Sequence, residues 1–289
     1  MQGVVYVNGR ITAADAAVVP VFDHGFLYGE GVYETLRTYR REPFLFAEHM
    51  ARLRRSAGMI ALPVPLTDAE MAGEIAKTIE ACPPAGDEPD LYIRILLTRG
   101  VGELTYNPKA TPKPTLVIIT KPLPGFPAAN YTDGIRVALV GVRRNHPDAL
   151  NPQIKSNNLL NNAMAMQEAL RVGADEALMR NHDGFIVECS QCNFFIVTNG
   201  VLKTPPLGDG LLPGITRQFV IGLAREIGIA VEETAILPVE AQSADEAFVT
   251  GTTREITPVT KIDETNVANG KSGAVTLRLM TAFRNAIPR

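Results

Sequence analysis

Cysteine is scarce in this 289-residue chain: it has three, Cys82, Cys189 and Cys192. A small, odd number in a long chain argues against a disulfide framework and for a reducing, cytoplasmic setting. Histidine is scarce too. His24, His49, His146 and His182 show no paired spacing, so with three thiols they form no zinc-ligand pattern, and no metal is expected. No apolar run approaches the roughly 20 residues that cross a bilayer. The start MQGVVYVNGR lacks the basic and apolar regions of a secretory signal. An excess of one charge is also missing. Lys+Arg 28 against Asp+Glu 31 leaves a net charge of −3, which argues against bulk attraction to nucleic acid or an anionic membrane. What is there is 46 % hydrophobic and 20 % charged, an ordinary soluble composition long enough for two modest domains.

Strand and helix signals alternate along the first third. Val4–Val7 and Ile11 suggest a hairpin with Asn8-Gly9 at its turn. Val32–Tyr39 alternates as a half-buried strand should, and Glu48–Met59 carries Met50, Leu53 and Ala57 on one helical stripe. Thr67-Asp68-Ala69-Glu70 is a capping box that opens a helix running to about Cys82, with Pro83-Pro84-Ala85-Gly86 to stop it. Leu91–Thr98 and Thr115–Thr120 are rich in branched residues, as strands are. Lys121–Asn130 holds three prolines and a glycine with no periodicity, and reads as a linker. The expected division is therefore an N-terminal α/β domain over 1–120, a linker over 121–130 and a C-terminal α/β domain over 131–289. In the second half, Asn157–Gly173 and about Thr216–Ile227 and Val275–Asn285 read as helices. Strands are expected at Ile135–Val140, Glu176–Arg180, Phe185–Glu188, Phe194–Thr198, Val201–Thr204, Val231–Glu233 and Ala247–Thr250. Hairpins are too frequent for a doubly wound parallel sheet.

Two familiar patterns lead nowhere. Cys189-Ser190-Gln191-Cys192 is formally a C-x-x-C, but it follows one strand and leads into another, so buried, inert thiols are the simpler reading. Gly29-Glu30-Gly31 lacks the third glycine and the ensuing helix of a dinucleotide fingerprint. Lys155 is more informative. It is one of eight lysines and sits after a branched residue and before an amide-rich helix start. Alone it could be an exposed loop lysine or a desolvated amine able to form a Schiff base. Glu188 closes an apolar strand, a costly place for a carboxylate without a cationic partner. Gly214-Ile215-Thr216 opens a helix, and Gly251-Thr252-Thr253 follows a strand; each offers N–H groups and hydroxyls suited to phosphate. Arg52 could add a bidentate charge. Each has a plainer reading as a cap, a turn or a solvated face. Together they are what pyridoxal phosphate needs: a lysine, an acid for its ring nitrogen and a phosphate cup.

The chain resembles the class IV (fold type IV) pyridoxal-phosphate aminotransferases, which include branched-chain and D-amino acid aminotransferases and aminodeoxychorismate lyase. The resemblance runs collinearly through Asp23–Arg37, Glu48–Leu53, Tyr92–Gly100, Ile154–Asn162, Val187–Val197, Leu212–Arg217 and Gly251–Val259. It implies two α/β domains with pyridoxal 5'-phosphate in the cleft between them, and a homodimer or higher homo-oligomer. Lys155 would be the Schiff-base lysine and shuttle a proton. Glu188 would hold the pyridine nitrogen protonated. Arg52, Ile215, Thr216 and Thr252 would bind the phosphate. Tyr28, Tyr33, Arg37, Tyr92, Arg94 and Thr253 would face the amino-acid and 2-oxo-acid substrates.

Within the family, Tyr92 and Arg94 match the Tyr-x-Arg of branched-chain enzymes, with Arg94 suited to the side-chain carboxylate of glutamate. The Arg-x-His carboxylate trap of D-specific members is replaced by Leu104 and Tyr106. Two features point the other way: Leu159 stands where branched-chain members carry a tyrosine, and Tyr33 resembles the D-specific and lyase variants. The expected activity is transfer from an aliphatic, branched-chain L-amino acid to 2-oxoglutarate, with the D-amino acid transaminase and the lyase as alternatives.

Overall fold

The computed structural model describes residues 2–83, 90–123 and 125–288. It divides into two compact units. The first comprises the chain ahead of Gly125 together with Ile154–Asn158; the second comprises Gly125–Gln153 and Leu159–Ile287. Lys155 is grouped with the first unit, although it follows 121–130 in sequence. The unit boundary falls inside 121–130, but Thr115–Pro122 is a regular strand, so ordered pairing reaches into that stretch. Of the expected stop after the capping-box helix, residues 84–86 lie outside the described residues.

The first unit is an antiparallel sheet of six strands, in the order Arg10–Ala13, Val4–Val7, Thr115–Pro122, Leu91–Thr98, Gly31–Tyr39, Glu42–Pro43. Asn8 and Gly9, with φ of 46° and 99°, make the left-handed turn that joins the first pair. The helices Phe46–Met59 and Asp68–Ala81 cover one face, burying Met50, Leu53, Met71 and Ile75 against Val32, Leu36, Ile93 and Ile95. The second helix has the full capping box read from Thr67 and Glu70. Alternation along Leu91–Thr98 sends Leu91, Ile93, Ile95 and Leu97 into the core and leaves Tyr92 and Arg94 half-buried on the other face. Tyr33 and Thr35 share that face, because Thr35 pairs with Arg94 and Tyr33 with Leu96.

The edge of Gly31–Tyr39 is where the Lys155 segment docks. Glu42–Pro43 pairs only with Thr38 and Tyr39, leaving the start of the strand open. There Tyr33 N–H donates to Lys155 O at 2.9 Å, and Asn157 N–H donates to Gly31 O at 2.9 Å. Gly31 is required by this approach: a Cβ there would stand 2.5 Å from both Asn157 Nδ2 and Leu97 O. The expected helix over Asn157–Gly173 accordingly starts later, at Leu160, and ends at Arg171. Residues 155–157 are spent on edge pairing, and they cannot also turn as helix.

The second unit holds a nine-stranded mixed sheet. Strands Ile135–Arg143 and Glu176–Arg180 run parallel, and the Asn193↔Glu188 pairing joins strand Ile186–Cys189 to Asn193–Thr198, closing the sheet on itself. Its interior is filled by Val137, Leu178, Ile186, Phe194, Ile196, Val249 and Val259. Outside, Leu160–Arg171 presents Ala165 and Ala169 to Ala138, Ala177 and Val187. Small residues let that helix lie close. On another side Phe195 stacks on Phe248 with centroids 4.8 Å apart.

Candidate active site

In the first unit the open sheet face gathers a row of side chains. Lys155 Nζ lies 4.3 Å from the centroid of the Tyr33 ring, and the Arg94 guanidinium lies 4.0 Å from the same ring. Arg94 Nη1 donates to Tyr92 Oη at 3.4 Å, and that hydroxyl is 3.5 Å from Thr35 Oγ1. Burial would raise the Tyr33 phenol, but the charges of Lys155 and Arg94 outweigh it and hold the pKa below its ordinary value. Four of the expected residues, Lys155, Tyr33, Tyr92 and Arg94, are thus brought together. The other two on this unit's substrate side lie in different surroundings. Arg37 donates to Asp90 at 3.4 Å and stacks 4.2 Å over Tyr39. Tyr28 ends the short helix His24–Tyr28 and packs between His24 and Tyr106.

Arg52 is buried, not solvated, and its fork is bidentate as expected, but toward a protein carboxylate. Its Nε and Nη2 donate to Glu34 Oε1 and Oε2 at 2.7 and 2.8 Å, and His49 Nδ1 is 2.7 Å from Oε2. Burial pushes the Glu34 carboxyl up, yet Arg52 and His49 together hold it well below the usual range. Glu34 is not among the residues that the sequence singles out. The available signal was its place, a carboxylate alternating inward on a strand that faces a helix bearing Arg52. Ser56, one turn further on that helix, accepts from the Lys155 N–H at 3.1 Å.

In the second unit Glu188 has the cation its burial demands: Arg144 Nε donates to Oε1 at 2.7 Å. Leu212 N–H donates to Oε2 at 3.0 Å, and Asn193 Nδ2 donates to Leu212 O at 3.0 Å. These bonds hold the loop that leads into helix Ile215–Glu226. Gly214 caps that helix without a side chain, so the first-turn N–H groups at Ile215 and Thr216 point outward with no side-chain acceptor. Only glycine fits there: a Cβ would stand 1.9 Å from Asn193 Oδ1. Thr250, the register partner of Asn193, has its hydroxyl buried without a hydrogen-bond partner among the described residues. An uncapped helix start with the Thr216 hydroxyl on its first turn suits a phosphate group. Thr252 and Thr253 lie half-buried in the turn closed by Arg254 N–H to Gly251 O at 3.1 Å.

The two neighbouring thiols are fully enclosed. Burial pushes Cys189 up, away from the reactive thiolate. Cys189→Ser and Cys192→Ser are each expected to retain at least half of the wild-type turnover, measured at steady state. Loss of activity in either would restore a redox or metal role. Among the described residues no three His, Cys, Asp or Glu side chains converge as a metal site.

The first unit thus offers a lysine on a sheet edge, and the second, by itself, a buried acid clamped by arginine and an uncapped helix start. The family described as amino-transferase class IV matches residues 31–262. The chain belongs to that family. A Methanocaldococcus jannaschii protein, provisionally named a branched-chain-amino-acid aminotransferase, is 42 % identical over 281 residues, covering 97 % of this chain and 95 % of the relative. The D-alanine aminotransferase of Bacillus licheniformis is 32 % identical, over 97 % of this chain and 95 % of its own. Among solved structures, the branched-chain amino acid aminotransferase of Escherichia coli superposes with a TM-score of 0.93 at 32 % identity, over 99 % of this chain and 95 % of that one. The T.th. enzyme of the same name, solved with pyridoxamine 5'-phosphate, gives 0.92 at 29 % identity, over 99 % and 94 %. The fold is the two-domain fold-type IV architecture, and the protein is an aminotransferase of the branched-chain type. No helix among the described residues is long and apolar enough to cross a membrane.

Proposed function

We propose that this enzyme moves the amino group of an aliphatic, branched-chain L-amino acid to 2-oxoglutarate, with pyridoxal 5'-phosphate as cofactor. The observation that carries this reading is the row Lys155, Tyr33, Arg94, Tyr92 on one sheet face, which sets an amine and a guanidinium against the same phenol ring. The cofactor, when bound, supplies an electron sink for the negative charge left at substrate Cα. Lys155 Nζ would bind the cofactor covalently and then carry the proton from substrate Cα. Glu188, held in place by the hydrogen bond from Arg144, would hold a proton on the pyridine nitrogen. The Ile215 and Thr216 N–H groups with the Thr216 and Thr252 hydroxyls would hold the phosphate. Arg52, paired with Glu34 through Nε and Nη2, would add positive charge on the phosphate side. Arg94 would pair with the distal carboxylate of 2-oxoglutarate, with Tyr92 orienting it. Tyr33, Tyr28, Arg37 and Thr253 would complete the substrate side.

Two features support a second reading, as a D-amino acid transaminase: Leu159 and the relatedness to the D-alanine enzyme. A donor panel decides. L-leucine is expected to exceed D-alanine by at least tenfold in kcat/KM with 2-oxoglutarate as acceptor, and aminodeoxychorismate to yield no product. Turnover of D-alanine without L-leucine would end the branched-chain reading. The homodimer is supported by an apolar surface: Val18, Val21, Phe22, Phe26, Leu104 and Tyr106 are each more than half exposed. Gly102 N–H to Phe22 O at 3.3 Å and the Tyr28–Tyr106 contact join their two loops into one patch. The cytoplasmic reading rests on the odd cysteine count.

A further inference from the structure

Glu176 opens the strand Glu176–Arg180 and is wholly buried, at 0 % exposure, yet no step proposed above uses it. Its carboxylate is fully engaged. Oε1 accepts from the Ser190 hydroxyl, from the Ser190 N–H at 3.2 Å and from the Ala177 N–H at 2.9 Å. Oε2 faces Arg254 Nη1 at 3.0 Å and the Cys192 thiol at 3.8 Å. Two turns converge on this one group. The first, residues 189–192, follows Glu188 and is closed by Cys189 N–H to Cys192 O at 2.8 Å. The second, residues 251–254, carries Thr252 and Thr253. They abut directly: a Cβ on Gly251 would lie 3.6 Å from Cys192 Cβ. Asn162 Nδ2 adds a 2.8 Å bond to Ser190 O, tying the first turn to the helix Leu160–Arg171.

An apolar pair of the same volume would fill this end of the core without desolvating two charges. What the ion pair adds is direction. Arg254 N–H also closes the turn on Gly251 O at 3.1 Å, so the residue that reaches Glu176 is the one that closes the turn bearing Thr252 and Thr253. We propose that Glu176 and Arg254 are positioning residues that clamp the turn bearing Thr252 and Thr253 against the turn that follows Glu188. The phosphate-side and ring-nitrogen contacts are thereby held at one spacing before cofactor binds. Preorganisation of this kind is gained once, in folding, and is not lost again on binding. The role of the pair rests on the cofactor reading given above.

The test uses the full chain with three single variants. Arg254→Met keeps the stem and removes the charge, Arg254→Lys keeps the charge, and Glu176→Gln keeps the shape of the acid. Amide hydrogen exchange is measured at 190–192 and 252–254 without cofactor, and the pyridoxal 5'-phosphate dissociation constant by equilibrium dialysis. Arg254→Met and Glu176→Gln are expected to speed exchange in both turns at least tenfold, with amides of the sheet unchanged, and to raise the dissociation constant at least tenfold. Arg254→Lys is expected to return both to within about threefold of wild type. Should either neutralised variant fail to fold, Glu176→Gln combined with Arg254→Met leaves no unpaired charge and is read the same way. A lowered melting temperature with both turns protected and cofactor affinity unchanged would overturn the clamp, since it marks a pair that supports only the fold. A wild-type chain that binds no pyridoxal 5'-phosphate would overturn the cofactor reading instead, while hydrogen exchange still decides the clamp.

Discussion

Lys155→Ala is expected to fold as the wild type does and to lose amino-group transfer by about a thousandfold or more. The two halves of that expectation come from different atoms. The segment docks through its backbone: Lys155 O accepts from Tyr33, Asn157 N–H donates to Gly31, and Lys155 N–H donates to Ser56 Oγ. Alanine keeps all three. The side chain packs against Tyr33, 4.3 Å from the ring centroid, a contact worth about 0.5–1 kcal/mol at a half-exposed site. The melting temperature should therefore move by only a few degrees. Turnover loses both a covalent anchor and a proton carrier, and proton transfer alone accounts for about 10²–10⁴ in rate. Steady-state rates with L-leucine and a thermal melt of the same preparation check it. Near-normal turnover in the folded variant would remove Lys155 from the reaction.

Local chemistry was legible in the sequence wherever the cause is local. The Asn8-Gly9 turn, the Thr67/Glu70 capping box and the alternation of Leu91–Thr98 all stand as read, because neighbours within a few residues determine them. Non-local partners were not legible. Glu188 could be seen to need a cation, but nothing in the sequence says that strand pairing delivers Arg144. Glu34 could be seen alternating inward, but its meeting with Arg52 depends on how a helix lies across the sheet. The helix after Lys155 starts three residues later than propensity implies, for a related reason. Propensity reads 157–159 as helical, while the open edge of Gly31–Tyr39 claims 155–157 as a bridging strand. Pairing across the sheet overrides a preference worth only tenths of a kcal/mol per residue, on the order of what helix scales allow. The strand Glu255–Ile262 carries Pro258, which disfavours a strand locally, yet it pairs on both sides.

Glu188→Gln is expected to keep the cofactor, to lower kcat by about 10²–10³ and to cost stability, and the three effects have separate causes. Cofactor retention follows because the glutamine amide oxygen can still accept from the Leu212 N–H, so the loop leading into helix Ile215–Glu226 keeps its anchor. The rate falls because a neutral amide cannot hold positive charge on the ring nitrogen, a loss in the range found for one removed electrostatic contact. Stability falls because Arg144, 8 % exposed, loses its counter-charge. Removing one partner of a buried pair costs about 3–5 kcal/mol. The lower end applies here, since Arg144 also donates to Asn161 Oδ1 at 3.2 Å. Stopped-flow turnover, cofactor absorbance and a denaturant titration measure the three. Adding Arg144→Gln separates them: with no unpaired charge left, most of the lost stability should return, and the rate should not. A Glu188→Gln enzyme within threefold of wild-type turnover would mean that the ring nitrogen has another partner. A double variant that recovered rate along with stability would mean that Glu188 acts on the fold and not on the chemistry.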